Sequence, residues 1–219
     1  MLFENQDTMV QYNLFAYCGN SPVINIDPTG FGKTVVFYYY ASEGTLDHFA
    51  EKSGYFSFYS SNVKRYCVYS AYQFVSAWNS LKGDIDTIYM YLHGDPGQLN
   101  FQKGKDILGF KKGDGYNKYY NFESLKKVKV NKGISLFSCY GGKGKSGNKE
   151  GCNVAWMFSK KIGGKPVLAC TGGVSYYSLG GKYYARCSLN PQKRERWGHF
   201  CSFYYKKNKA MKKFYGWFA

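Results

Sequence analysis

An α/β sandwich built on a mainly parallel sheet is the architecture this sequence predicts, and three observations predict it. Short apolar runs dense in β-branched and aromatic residues recur along the chain and read as buried strands. Amphipathic stretches with helical spacing lie between them, so strand and helix alternate. The composition, 44% hydrophobic and 20% aromatic over 219 residues, can bury a sizeable core and argues against general disorder.

Taken in order, the first 33 residues stand apart. Glu4, Asp7 and Asp27 face Lys33 alone there, and the chain turns basic and aromatic near Gly30-Phe31-Gly32-Lys33. Turn signals at Asn20-Ser21-Pro22 and Asp27-Pro28-Thr29-Gly30 bracket a short β-like run, Val23 to Ile26. This part reads as a hairpin or strand pair too small to fold alone. A second unit runs from Thr34 to Ala219. Val35 to Ala41 opens it as a buried strand, and Val63 to Val68 is a less apolar one. Ala71 to Leu81 sets Phe74, Val75, Trp78 and Leu81 on a helical stripe. Asp86 to Leu92 is again a strand, Gly97 to Phe110 a polar hairpin, and Phe122 to Val128 a short helix. Ile134 to Phe137 is a strand running straight into Ser138-Cys139. Asn153 to Ile162 is an amphipathic helix stopped by Gly163-Gly164, and Lys165 to Cys170 gives another strand. Phe200 to Tyr205 adds a further strand to a C-terminal stretch that is otherwise hard to place.

The net charge of +16 is concentrated late in the chain: Lys182 to Ala219 carries ten basic side chains against Glu195 alone. Such a field favours nucleic acid, lipid head groups or an acidic protein, with a plain solvated face as the alternative. The seven cysteines form no Cys-x-x-Cys pair, which removes the main support for zinc-ribbon and thioredoxin-type sites. His199 and Cys201 lie close together, but two ligands make no metal site. An odd cysteine count fits thiols kept reduced, or in transit, better than a disulfide framework. The opening residues carry no basic, apolar leader pattern, and no apolar run reaches the length of a membrane span.

Asn13, Leu14, Phe15, Tyr17, Asn20, Pro22, Asp27, Pro28 and Gly30 fit the pattern N-L-[YF]-x-Y-x-x-N-x-P-x-x-x-x-D-P-x-G. The stretch resembles the closing motif of the RHS-repeat core, shared by RHS and related tyrosine-aspartate-repeat proteins. In that family a large β-shell encloses a C-terminal toxin, and the motif marks the border between them. The resemblance implies that residues 1–33 are an RHS-core remnant and residues 34–219 a variable effector domain. It implies a delivered effector of bacterial competition that acts in the target-cell cytoplasm. The expected partners are the RHS shell in the full-length protein and an immunity protein. With the motif so near Met1, an orphan tip cassette or a fragment is expected.

Two apolar strands end in reactive residues, one in His93-Gly94 and the other in Ser138-Cys139. In an open parallel sheet ligands gather beyond the carboxyl ends of the strands, so neighbouring strands would bring both residues to one rim. Thiol acyl transfer needs that meeting of a nucleophile, a proton donor for the leaving group and amides aimed at the oxyanion. Gly94 has no side chain to block the approach of a scissile carbonyl. The order His-Gly then Ser-Cys, with Cys139 lying 46 positions after His93 and a hairpin between, resembles the caspase-like cysteine peptidases. The later run Asn153-Val-Ala-Trp-Met-Phe, then Gly164 to Ala169 and Thr171-Gly-Gly, resembles the helix and strand that follow their cysteine. That resemblance implies a caspase-like three-layer α/β/α sandwich. It assigns Cys139 as nucleophile, His93 as the acid-base residue, and the amides of Gly94 and Cys139 as the oxyanion hole. It implies no cofactor. Two features depart from the family pattern: no specificity residue can be identified, and only Glu150 and Glu195 are acidic after Cys139.

A cysteine ending an apolar strand is also a common inert core residue, and His-Gly a common turn. His199 is a spare histidine and His48 an exposed one, while Cys67, Cys152, Cys170, Cys187 and Cys201 read as structural or incidental. Glycine-rich residues 141–147 lack the spacing of a phosphate-binding loop and read as a mobile loop beside the nucleophile. The leading functional expectation is a peptidase toxin cutting a target-cell protein or its own chain. A nucleic-acid-directed toxin comes second, because Tyr204, Tyr205, Phe214 and Trp217 among lysines suit a phosphate backbone with stacked bases. A non-catalytic caspase-fold module, or a membrane-active basic tail, comes third.

Overall fold

The structure is a computed structural model that describes residues 33–40, 62–110, 120–144, 153–179, 182–188, 198–206 and 209–216, together with Phe49 and Ser53. The RHS-like motif, His48, Cys152 and residues 145–147 of the glycine-rich loop lie outside the described residues.

Seven strands form the main sheet: β1 (Lys33–Tyr39), β2 (Val63–Val68), β3 (Ile85–Tyr91), β7 (Val130–Phe137), β8 (Val167–Cys170), β11 (Phe200–Lys206) and β12 (Lys209–Gly216). Their order is β12-β11-β8-β7-β3-β1-β2. The five from β2 to β8 run parallel, and β11 and β12 are antiparallel additions at one edge. The chain is therefore mixed α/β with a mainly parallel sheet. Between β3 and β7 lies a three-stranded antiparallel unit, β4 (His93–Asp95), β5 (Gln98–Phe101) and β6 (Asp106–Leu108), where a polar hairpin was expected. A separate two-stranded hairpin, β9 (Gly173–Leu179) with β10 (Lys182–Ser188), follows β8.

The central strands are apolar on both faces because both faces are covered. Val35, Val36, Phe37, Ile88, Met90, Leu136 and Ala169 are fully buried or nearly so. Helix α1 (Ala71–Asn79) starts where the Ser70 side chain accepts the Gln73 amide, and Asp106 accepts the Ala71 amide at 2.8 Å, placing an anion at the helix's positive end. Helix α2 (Val154–Lys161) is capped by Asn153, whose side chain accepts the Trp156 amide at 2.9 Å. The two helices share one face of the sheet, since Trp78 and Phe158 rings meet at 5.2 Å and Phe74 and Phe158 at 6.1 Å. Right-handed crossovers require this, because both helices carry the chain in the same direction across the sheet.

Residues 122–128 depart from expectation. Only Phe122–Ser124 is helical, as a single 3-10 turn capped by Asn121, and Leu125 is extended. Trp78 and Asn79 pin this segment by donating to the Lys126 and Ser124 carbonyls at 2.9 Å each. A helix there would withdraw the Ser124 carbonyl into its own ladder, to the amide of Val128.

Candidate active site

The site grows from the pairing of β3 with β7. Tyr91 stands opposite Phe137 in the parallel register, and their rings meet at 5.1 Å. His93 and Cys139 each come two residues after that pair, so the two strand ends deliver them to the same rim. Both side chains are half-buried. The main chains meet directly here: a Cβ placed on Gly94 would lie 2.8 Å from the Cys139 carbonyl oxygen and 3.1 Å from Ser138 Oγ. Only glycine permits that approach.

The His93 ring is held edge-on by Tyr39, at 5.1 Å from the end of β1, and by Phe49, at 5.0 Å from the β1–β2 connection. Below Cys139 the wall is also aromatic, with Tyr176 close to Tyr91 (6.2 Å) and to Phe49 (6.0 Å). The Tyr176 hydroxyl donates to the Phe137 carbonyl at 3.0 Å. Burial, with Tyr91 and Cys139 adding to it, holds the Tyr176 phenol well above its ordinary range, so it stays a neutral donor.

The chain reverses after Cys139. Tyr140 takes φ +56°, a left-handed conformation that costs a non-glycine residue about 1 kcal/mol. Backbone bonds hold it there: Tyr140 N–H donates to the Gly172 carbonyl at 2.7 Å and Gly142 N–H to the Cys170 carbonyl at 2.9 Å. Asn153 ties the same turn to α2 by donating to the Gly142 carbonyl at 3.0 Å, and the Gly97 amide ties the β4–β5 turn to Lys143 at 3.0 Å. Residues 141–144, expected in a mobile loop, are thus bonded to three neighbouring elements.

Sequence reasoning missed two features of the site. The Val174 amide, on β9, donates to Cys139 Sγ at 3.3 Å, and the Val174 carbonyl lies 3.9 Å from the same sulfur. A main-chain donor leaves no mark in a side-chain pattern. The second is a Cys170–Cys187 disulfide with a Cα–Cα distance of 6.1 Å, where reduced thiols were expected. Cys67, Cys139 and Cys201 are not in a disulfide. His199 stays out of the site, with its ring against Phe214 at 5.3 Å; burial and Lys212 lower its pKa. Among the described residues no group of three or more His, Cys, Asp or Glu could hold a metal ion, and no helix is long and apolar enough to cross a membrane.

Comparison of the chain with protein-family models, with curated proteins and with solved structures found no match.

Chemically, the arrangement offers a half-buried thiol, an imidazole on the adjoining strand end, a close main-chain contact at Gly94 and an amide already aimed at the sulfur. These are the parts required for acyl transfer through a thioester.

Proposed function

We propose that residues 34–219 form a caspase-like cysteine endopeptidase domain, a three-layer α/β/α sandwich, serving as the C-terminal effector of an RHS-type protein. The observation that carries the proposal is the junction of His93-Gly94 with Ser138-Cys139 at adjoining parallel strand ends. The β4–β5–β6 unit supports it too, lying between those strands where the resemblance asks for a hairpin.

In this reading His93 takes the proton of the Cys139 thiol as Sγ attacks the scissile carbonyl carbon, and the carbonyl oxygen takes up the displaced electron pair between the Gly94 and Cys139 amides. His93 gives a proton to the departing amine as the C–N bond breaks, leaving a thioester on Cys139. Water, deprotonated by His93, then releases the acid and restores the thiol. The aromatic wall keeps bulk water away and strengthens each charge interaction inside.

The test is digestion of a bacterial lysate by purified protein, with mass-spectrometric mapping of new N-termini. Cys139→Ala should lower the cutting by at least about 10³-fold, and a peptidyl chloromethylketone should label Cys139 alone. Cutting that survives Cys139→Ala refutes the proposal.

A nucleic-acid-directed effector is the second reading, favoured by one surface. On β12 Lys209, Lys212 and Lys213 are exposed, Phe214 is 57% exposed, and neither β11 nor β12 contains an acidic residue. Nuclease activity retained by the Cys139→Ala protein would select this reading instead.

A further inference from the structure

Besides the short main-chain link through Thr171-Gly172, a disulfide ties the β9–β10 hairpin to the main sheet beside Cys139. Cys170 is the last residue of β8, and its partner Cys187 lies on β10 opposite Val174 in the antiparallel register. Val174 is the residue whose amide donates to Cys139 Sγ. The bond therefore anchors the hairpin at the rung that meets the candidate nucleophile. Around it the packing is close: the Gly172 amide donates to Cys170 Sγ at 3.3 Å, and the two half-cystines are 0% and 2% exposed. At its base the hairpin also touches the turn after Cys139, where the Tyr140 amide donates to Gly172.

We infer that the Cys170–Cys187 disulfide is a positioning device for Cys139, holding the Val174 amide against the reacting sulfur. The inference rests on the peptidase reading of Cys139. An N–H aimed at sulfur favours the thiolate, the form that attacks carbon. When a dithiol opens the bond, two electrons and two protons pass to Cys170 and Cys187, and the dithiol leaves as its own disulfide. The hairpin then keeps its main-chain link to β8, its hydrogen bonds and its packing but loses the cross-link on the β10 side, and the donor at 174 drifts from the sulfur. An oxidising compartment keeps the site taut, and a reducing one slackens it.

The experiment follows the alkylation of Cys139 by iodoacetamide across pH, read peptide by peptide in the mass spectrometer. It compares the unmodified chain with the Cys170→Ser/Cys187→Ser double variant, and circular dichroism reports whether each is folded. In the double variant Cys139 should react several-fold more slowly near neutral pH, its pH midpoint moving up by roughly half to one unit. Cys67→Ser, a substitution at an exposed thiol on β2, should leave the profile where it was. A folded double variant whose profile superimposes on that of the unmodified chain overturns the inference. Should the double variant fail to fold, Val174→Pro keeps both cysteines and removes the N–H donor, with circular dichroism again reporting the fold; the same upward move is expected, and an unmoved midpoint is fatal. Alkylation needs no turnover, so the two ideas separate: a shifted profile without Cys139-dependent cutting sinks the peptidase reading alone, and cutting with an unshifted profile sinks this one alone.

Discussion

A methyl group at position 94 has no free space, because it would sit 2.8 Å from a main-chain oxygen that cannot swing aside. Gly94→Ala must push β4 away from Cys139, at about 1–3 kcal/mol of stability. A displacement of that kind at reacting groups should lower Cys139-dependent kcat/KM by roughly 10²-fold. Peptide-cleavage kinetics beside a thermal melt would check both, and an unchanged kcat/KM would remove Gly94 from the machinery. The positions of His93 and Cys139 could be read from the sequence because each follows a run apolar enough to be a central strand. Val174 could not, because its contribution is an N–H that every residue but proline possesses.

Asn153 carries two jobs on one amide, and the two can be separated at the level of the helix. Its oxygen caps α2, and its nitrogen donates to the Gly142 carbonyl in the turn after Cys139. Asn153→Ala should cost about 1 kcal/mol for the cap and a further 1–3 kcal/mol for the orphaned carbonyl. Asn153→Asp keeps the capping oxygen but replaces the second bond with an oxygen facing the Gly142 carbonyl, so it should melt below the unmodified protein. Melting of the Asp variant at the temperature of the unmodified protein would mean that the tie to Gly142 contributes nothing. The disulfide closes a 17-residue separation, which the chain-entropy model converts to about 3 kcal/mol. The legible elements were the strands buried on both faces, the two amphipathic helices and, from its β-branched ends, the exposed edge strand β2. Strand β12, KAMKKFYG, was missed because its side chains are largely exposed and show no apolar alternation. Hairpin β9–β10 was missed although Gly180-Gly181 between two tyrosine-rich runs is a two-residue hairpin signal, because neither run is apolar enough to read as buried. The Cys170–Cys187 link was hidden because an odd number of cysteines dictates no pairing.

For the molecule as a whole, tyrosine chemistry sets the alkaline limit. Burial pushes Tyr89 up to about 12 and holds Tyr91 and Tyr176 well above the ordinary phenol range. The unfolded chain ionises near pH 10 while these native phenols keep their protons, so it binds fewer protons and stability falls as pH rises past about 10. Native protein at about pH 11 should show the absorbance at 295 nm short of its 23-tyrosine total by at least three phenols. They should ionise together as the fold is lost. A complete titration near pH 10 in a still-folded protein would contradict their burial. The α/β class was legible at this scale because alternation of strand and helix is a property of the whole chain. Phe200 to Tyr205 was read as a strand but its antiparallel pairing at one edge was not, since among the described residues no helix lies between β8 and β12.

The ends of the sheet have a consequence of their own. An open sheet offers an unpaired backbone ladder along each outer strand, and like strands from separate copies tend to zip together there. Here the outer strands are β2, with Lys64 and Arg65 exposed, and β12, with three exposed lysines. Copies that approach ladder to ladder bring like charges together before any hydrogen bond can form. Solubility at high concentration thus depends on cations at the two margins of the sheet, and whatever neutralises them, whether a polyanion, acetylation or high salt, also lowers the barrier to fibre-like association.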